Sequence, residues 1–229
     1  MVRKMIRGLF CDFYGTVVYE NGPKSYEVIK RVFKNGNAES PEQVVEYWWK
    51  SFGKLLSESY GGNYCTQYEA AFKCFEVLLN HFQAQDDPKE LCDMMAEHWS
   101  HPPIYEETME FLKQIQEMEI PLYFITNSDD RFVEEAMKYY RLQTSGLITS
   151  EQAKCYKTRK DIFLFALEKT GLKPEEVIHI GDSLNGDVKY AQEAGIHPIW
   201  LNREEKEVSE KVMTVTSLLD AVKILRSEI

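Results

Sequence analysis

Five short runs rich in β-forming residues most constrain what this chain can fold into: GLFCDF (8–13), PLYFIT (121–126), GLITS (146–150), EVIHIG (176–181) and HPIWLN (197–202). They are predominantly apolar, and the last four are separated by DDRFVEEAMKYY, KDIFLFALEKTG and NGDVKYAQEAG, whose apolar residues recur at helical spacing. Neighbouring parallel strands need a long crossover, usually a helix, so buried strands alternating with helices specify a parallel sheet covered on both faces. The expected core is a three-layer α/β arrangement with a parallel five-stranded sheet. Gly171 and Gly195 stop two of the crossover helices, and a last helix starts near Ser217.

The first strand breaks the alternation, because a purely helical stretch separates it from the second. Three helix starts stand out there: Ser40 with Pro41 and Gln43, Thr66 with Glu69, and Asp87 with Pro88 and Glu90, each in a capping pattern. They lead amphipathic runs such as Val44, Val45, Trp48, Phe52, Leu55 and Leu56. With Tyr26 to Phe33 these make a four-helix unit, and the aromatic stretch EYWWK reads as its interior. SHPPIY (100–105) reads as the return linker, since its two prolines stop a helix and stiffen the chain. The expected organisation is an α/β core from residues 1–19 and 101–229 with a helical insert at 20–100.

Charge and cysteine content narrow the function classes. A formal net charge of −10 argues against a nucleic-acid or anionic-membrane surface, because binding phosphate backbones needs a basic face. The start MVRKMIRGLF imitates the basic region of an export signal, but Asp12 interrupts the apolar stretch too early for one. No apolar window approaches the roughly 18 residues of a spanning helix. The five cysteines, Cys11, Cys65, Cys74, Cys92 and Cys155, show no CxxC spacing and read as free thiols in a reducing cytoplasm. His81, His98, His101, His179 and His197 show no ligand spacing and read as structural, with only His101 near the expected mouth of a site.

In a parallel sheet, ligands collect at the carboxyl ends of the strands. The first strand ends in DFYGT (12–16), the second in TNS (126–128), the fourth in GDS (181–183), and the loop after the third supplies Lys157. Singly, each has an ordinary explanation: Asp12 as a turn cap, Thr126 to Ser128 as a helix cap, Lys157 as a solvated cation, Asp187 as a first-turn acid. Arriving in order, each just beyond its strand, they form a constellation. Converging carboxylates raise one another's pKa, and a divalent cation resolves the conflict. Oxygen ligands that leave room for water and a substrate phosphate suit Mg²⁺.

Over essentially its whole length the chain resembles the haloacid dehalogenase-like hydrolase superfamily, in the branch with a helical cap after the first strand. DFYGTV is similar to the first motif (DxDGT in most members), ITNS to the second, KTRKDIF to the third, and IGDSLNGDVKYAQEAG to the fourth. The resemblance implies Asp12 as a nucleophile that forms an aspartyl-phosphate. It implies Mg²⁺ held by Asp12, the backbone carbonyl of Tyr14 and Asp182, with Asp187 as a further or water-mediated ligand. Thr126 with the Asn127 backbone, and Lys157, would meet the phosphoryl oxygens, with Asn127 and Ser128 as second-rank candidates, and a turn at Gly15 and the Thr16 hydroxyl would shape the nucleophile loop. The implied substrate is a small phosphorylated metabolite.

Two departures from the family pattern matter. Tyr14 stands where most phosphatases of the superfamily keep a second aspartate, which protonates the leaving oxygen and then activates water. Positioned acid–base catalysis contributes on the order of 10² to 10⁴ in rate, and a phenol with a pKa of about 10 is a poor base at neutral pH. Esters of unactivated alcohols should therefore suffer more than acyl or aryl phosphates. Thr158 replaces the usual proline after the motif-three lysine, which keeps Lys154 and Lys160 in play as substitutes for Lys157. The alternatives are a 2-haloacid dehalogenase, whose DxYGT motif DFYGT also resembles, or a catalytically weakened phosphate-binding or regulatory protein. Tyr14 could equally be a bulky residue packing against the cap. The sequence leaves substrate identity and oligomeric state open.

Overall fold

The computed structural model describes residues 6–207 and 212–228. The basic start over residues 1–5 lies outside the described residues. Six strands, β1 (Gly8–Cys11), β2 (Leu122–Thr126), β3 (Gly146–Thr149), β4 (Val177–Gly181), β5 (His197–Leu201) and β6 (Met213–Val215), form one sheet. Its order is β3-β2-β1-β4-β5-β6, with every pairing parallel. The expectation of five strands is thus corrected to six. β6 is a three-residue strand at the sheet edge, pairing Thr214 with Trp200, and is too short to show an alternating pattern.

Alternation along the central strands sends side chains to opposite faces. Leu9, Cys11, Phe124, Ile178 and Ile180 enter one apolar cluster, while Phe10, Ile125 and Val177 enter the other. Each such fully buried side chain contributes about 1.5–3 kcal/mol, so the register is strongly specified. From β1 the sheet grows through β2 and β3 on one side and resumes with β4 on the other. The carboxyl ends of β1, β2 and β4 therefore bound the crevice where connections diverge, the usual ligand position in such sheets.

Between β1 and β2 lie α1 (Pro23–Asn35), α2 (Pro41–Glu58), α3 (Gln67–His81), α4 (Pro88–Ser100) and α5 (Thr108–Glu117). The capping patterns form as the sequence indicates. Ser40 Oγ accepts from the Gln43 N–H at 3.3 Å, and Asp87 Oδ1 accepts from that of Lys89 at 2.8 Å. Thr66 and Glu69 close a reciprocal box at 3.2 and 2.9 Å. Trp48, Phe52 and Phe75 stack in the interior of α2 and α3, whereas Trp49 is exposed, so EYWWK divides between core and surface. The remaining helices are α6 (Asp130–Tyr140), α7 (Ser150–Ala153), α8 (Asp161–Thr170), α9 (Lys189–Glu193), preceded by a π-helical turn at Leu184–Val188, and α10 (Leu218–Glu228). Ser217 Oγ accepts from the Asp220 N–H at 3.1 Å, next to the helix start expected there. No described helix is long and apolar enough to cross a membrane.

Candidate active site

Asp12 directly follows β1 and Asp182 directly follows β4, and the Asp12 N–H donates to Ile180 O at 2.8 Å, which fixes the two strand ends side by side. One carboxylate oxygen from each of Asp12, Asp182 and Asp187 lies within 4.8 Å of the others. Two glycines make that approach possible. Gly15 has φ +87°, and a Cβ there would sit 2.5 Å from the Asp182 carboxylate. At Gly181 a Cβ would lie 2.2 Å from Asp187 Cγ. Both positions exclude any side chain so that carboxylates can gather.

Lys157 is the lysine brought to the cluster. Its Nζ donates to Asp12 Oδ1 and, at 2.6 Å, to Asp187 Oδ1, with all three side chains buried. Asn127 holds the lysine's backbone, accepting the Lys157 N–H on Oδ1 at 2.6 Å. Lys154 lies elsewhere, its Nζ 5.1 Å from the Tyr64 ring centroid, and Lys160 precedes α8; neither lines the site cavity. The Thr158 substitution has therefore not displaced the lysine.

Burial raises the Asp12 carboxyl and, with the charges of Asp12 and Asp187, raises Asp182 well above the ordinary range. Burial would raise Asp187 too, but Lys157 and His179 outweigh it and hold that carboxyl far below the usual range. Asp187 is also saturated with hydrogen bonds. Oδ1 receives Lys157 and His179 Nε2 (2.9 Å), and Oδ2 accepts the Ser183 N–H at 3.1 Å. Since a carboxylate only accepts, the proton on His179 is at Nε2. By contrast Asp12 Oδ2 is buried without a hydrogen-bond partner.

These observations test whether the site fits a divalent cation. Three carboxylates against one ammonium leave two uncompensated negative charges, and one of the Asp12 carboxylate oxygens is buried without a partner. Hard oxygen donors with excess negative charge are what such an ion needs. The residues fit.

The cavity over the cluster, about 300 Å³, is lined on the sheet side by Asp12, Tyr14, Thr126, Asn127, Lys157, Asp182, Ser183 and Asp187. Glu20, Trp49, Phe52, Leu56, Gln67 and Trp99 line the side of the inserted helices. Thr16 and Ser128 do not line it. The Thr16 hydroxyl is buried and unpaired while its carbonyl accepts from Arg203, and Ser128 Oγ donates to Gln67 Oε1 at 2.7 Å. The Tyr14 hydroxyl donates to Trp99 O at 2.6 Å, and burial pushes its pKa far above the ordinary phenol range. His101 faces Glu135 at 3.4 Å and Tyr139, away from the cavity. A larger cavity of about 560 Å³, lined by Pro121, Leu122 and Thr144 among others, opens at the other end of β2, remote from this chemistry.

Sequence reasoning missed several participants. His179 reads as an apolar strand's interior residue, although alternation along β4 gives it the face from which it reaches Asp187. Glu20 and Gln67 carry no motif, and their place on the cavity wall follows from how the inserted helices fold back. Arg203, which binds the carbonyls of Gly15 and Thr16 at 2.8 and 2.9 Å and pairs with Glu107, comes from far along the chain.

The haloacid dehalogenase-like hydrolase family model matches residues 6–195, and the chain belongs to that family of hydrolases. A glyceraldehyde 3-phosphate phosphatase of Methanocaldococcus jannaschii is 28% identical over 240 residues, covering 98% of this chain and 100% of that protein. Among solved structures, the HAD-hydrolase YfnB from Bacillus subtilis bound to magnesium has a TM-score of 0.79 at 19% identity, with 97% and 99% of the two chains covered. L-2-haloacid dehalogenase from Xanthobacter autotrophicus has a TM-score of 0.77 at 15% identity, again covering 97% and 99%.

Proposed function

We propose that the protein is a Mg²⁺-dependent phosphohydrolase acting on a small phosphorylated metabolite, with residues 20–100 as a helical cap over a core of 1–19 and 101–229. The observation that carries this reading is the cluster of Asp12, Asp182 and Asp187, with Lys157 bridging the two buried acids, Asp12 and Asp187. The phosphatase relative, aligned over nearly the whole chain, supports it. Asp12 attacks phosphorus, the ester bond to the leaving oxygen breaks, and water then hydrolyses the aspartyl-phosphate. Lys157, Thr126 and Asn127 meet the phosphoryl oxygens. Asp12 Oδ2, Asp182 and the Tyr14 carbonyl would hold the ion, and Asp187 keeps Lys157 and its charge in place. A bound Mg²⁺ supplies charge neutralisation between the two anions. A reducing cytoplasm suits the five free cysteines.

Phosphate release from acetyl phosphate and p-nitrophenyl phosphate, with three-carbon sugar phosphates next in the panel, tests the reading. The expected result is turnover that requires Mg²⁺ and vanishes in Asp12→Asn; metal-independent turnover, or turnover surviving that substitution, contradicts it. Tyr14 in the DFYGT motif supports a dehalogenase as the second reading, whose sign is halide release from 2-chloropropionate in the presence of a chelator. Stabilisation by Mg²⁺ and phosphate without turnover of any ester would instead mark a binding or regulatory protein.

A further inference from the structure

We propose that Glu20 supplies the proton to the leaving oxygen, taking the part that the residue at position 14 cannot play in this chain. The inference rests on the phosphohydrolase reading. Phosphoryl transfer places the attacking and leaving oxygens roughly in line on opposite sides of phosphorus. With Asp12 on the sheet rim, the leaving oxygen faces the opposite wall, formed by Glu20, Trp49, Phe52, Leu56, Gln67 and Trp99. Among these side chains only Glu20 can give and take a proton near neutral pH. Tyr14 has committed its hydroxyl hydrogen to the Trp99 carbonyl.

Glu20 is also placed for the task. Its carboxylate has no hydrogen-bond or ion-pair partner among the described residues, unlike Asp187, and it stands outside the group of three gathered acids. Its backbone is fixed: the carbonyl accepts from His98 Nε2 at 3.0 Å, and the preceding Tyr19 N–H donates to Pro103 O at 2.8 Å. The side chain lines the cavity and is accessible to solvent through it. Desolvation by the surrounding wall, followed by the charge of Asp12, lifts it to about 7; Asp187 also raises it and Lys157 opposes. Tyr14, Asp182 and Tyr105 are the other titratable groups that sense its charge, and the buried His98 ring is held below its ordinary pKa. A carboxyl titrating near the working pH suits both directions of proton transfer.

The steps balance. As Asp12 bonds to phosphorus, the P–O ester bond breaks and the departing oxygen takes the Glu20 proton, leaving aspartyl-phosphate, an alcohol and a Glu20 carboxylate. Water then attacks phosphorus, gives its proton to Glu20, and displaces the Asp12 carboxylate.

The test compares kcat/KM of wild type and Glu20→Gln, with Mg²⁺, on acetyl phosphate and on an alkyl monoester such as glycerol 2-phosphate. Acetate leaves without protonation, whereas an alkoxide does not. The expected result is a loss of about 10²-fold or more on the alkyl ester with little change on acetyl phosphate. Glu20→Asp should recover part of the alkyl activity. For acetyl phosphate kcat and KM fall together, leaving kcat/KM unchanged, because only the later water step lacks its base. Equal losses on both substrates, or no loss on the alkyl ester, overturn the proposal. So does a wild type that hydrolyses acetyl phosphate but no alkyl ester. A wild type inactive on every phosphate removes the phosphohydrolase reading itself and the proposal with it.

Discussion

Lys157 is the residue whose removal most directly exposes the electrostatics of the site. Burial alone would lower its pKa, but Asp12 and Asp187 outweigh that and keep the ammonium charged. Lys157→Ala would leave two adjacent buried carboxylates facing each other, and breaking a buried ion pair in this way costs about 3–5 kcal/mol. Urea unfolding should show a loss of that size, partly restored by millimolar Mg²⁺; an unchanged midpoint would contradict the ion pair. Lys157 was legible in the sequence because it stands at a fixed place after a strand and before a helix. The preference for it over Lys154 and Lys160 was not, since that depends on the bend between Cys155 and Asp161. The Tyr14 hydroxyl was equally illegible: its partner, the Trp99 carbonyl, lies 85 residues away.

At the scale of elements, the segment from Tyr60 to Tyr68 ties the inserted helices to the sheet layer at a point separate from both chain crossings. Gly61 N donates to Lys154 O at 2.8 Å and Tyr156 Oη to Cys65 O at 2.8 Å, while Asp129, just before α6, accepts the N–H groups of Gln67 and Tyr68 at 2.6 and 3.2 Å. Asp129 thus caps the start of α3 from across the interface. Losing a cap costs about 0.5–2 kcal/mol, and each kcal/mol moves Tm by about 2–4 °C in a chain of this size, so Asp129→Ala should melt a few degrees lower. The charge adds a pH dependence. Burial lifts this carboxyl to about 6 against the pull of the two N–H groups. The folded state therefore favours the protonated form, and the group's stabilising contribution is full below about 4 and declines as pH rises toward 6. Asp129→Asn keeps an acceptor but cannot ionise, so its Tm relative to wild type should climb between pH 4 and 6 and then level off. A difference independent of pH would show that the carboxylate is not buried as described. The helices themselves were legible because their caps and apolar spacing are local, whereas this cross-interface cap joins residues 62 and 61 positions apart and leaves no local pattern.

In the whole molecule, the sheet rim gathers acids and a lysine while the inserted helices contribute an aromatic wall with one free carboxyl, and the cavity between them is where the two chemistries meet. The order of polar residues after successive strands made the rim legible, because parallel topology converts that order into proximity. The wall was not, since Trp49, Phe52, Leu56 and Trp99 look like ordinary helix residues until the helices fold back. β6 escaped for a simpler reason, having only three residues at the edge.

The central claim is that Asp12 itself becomes phosphorylated, and mass spectrometry of protein quenched in acid during turnover of acetyl phosphate with Mg²⁺ tests it most directly. The account predicts a phosphoryl group on the peptide carrying Asp12, labile to hydroxylamine and lost in Asp12→Asn. Turnover with no covalent phosphoryl group, or with one on another residue, would contradict it.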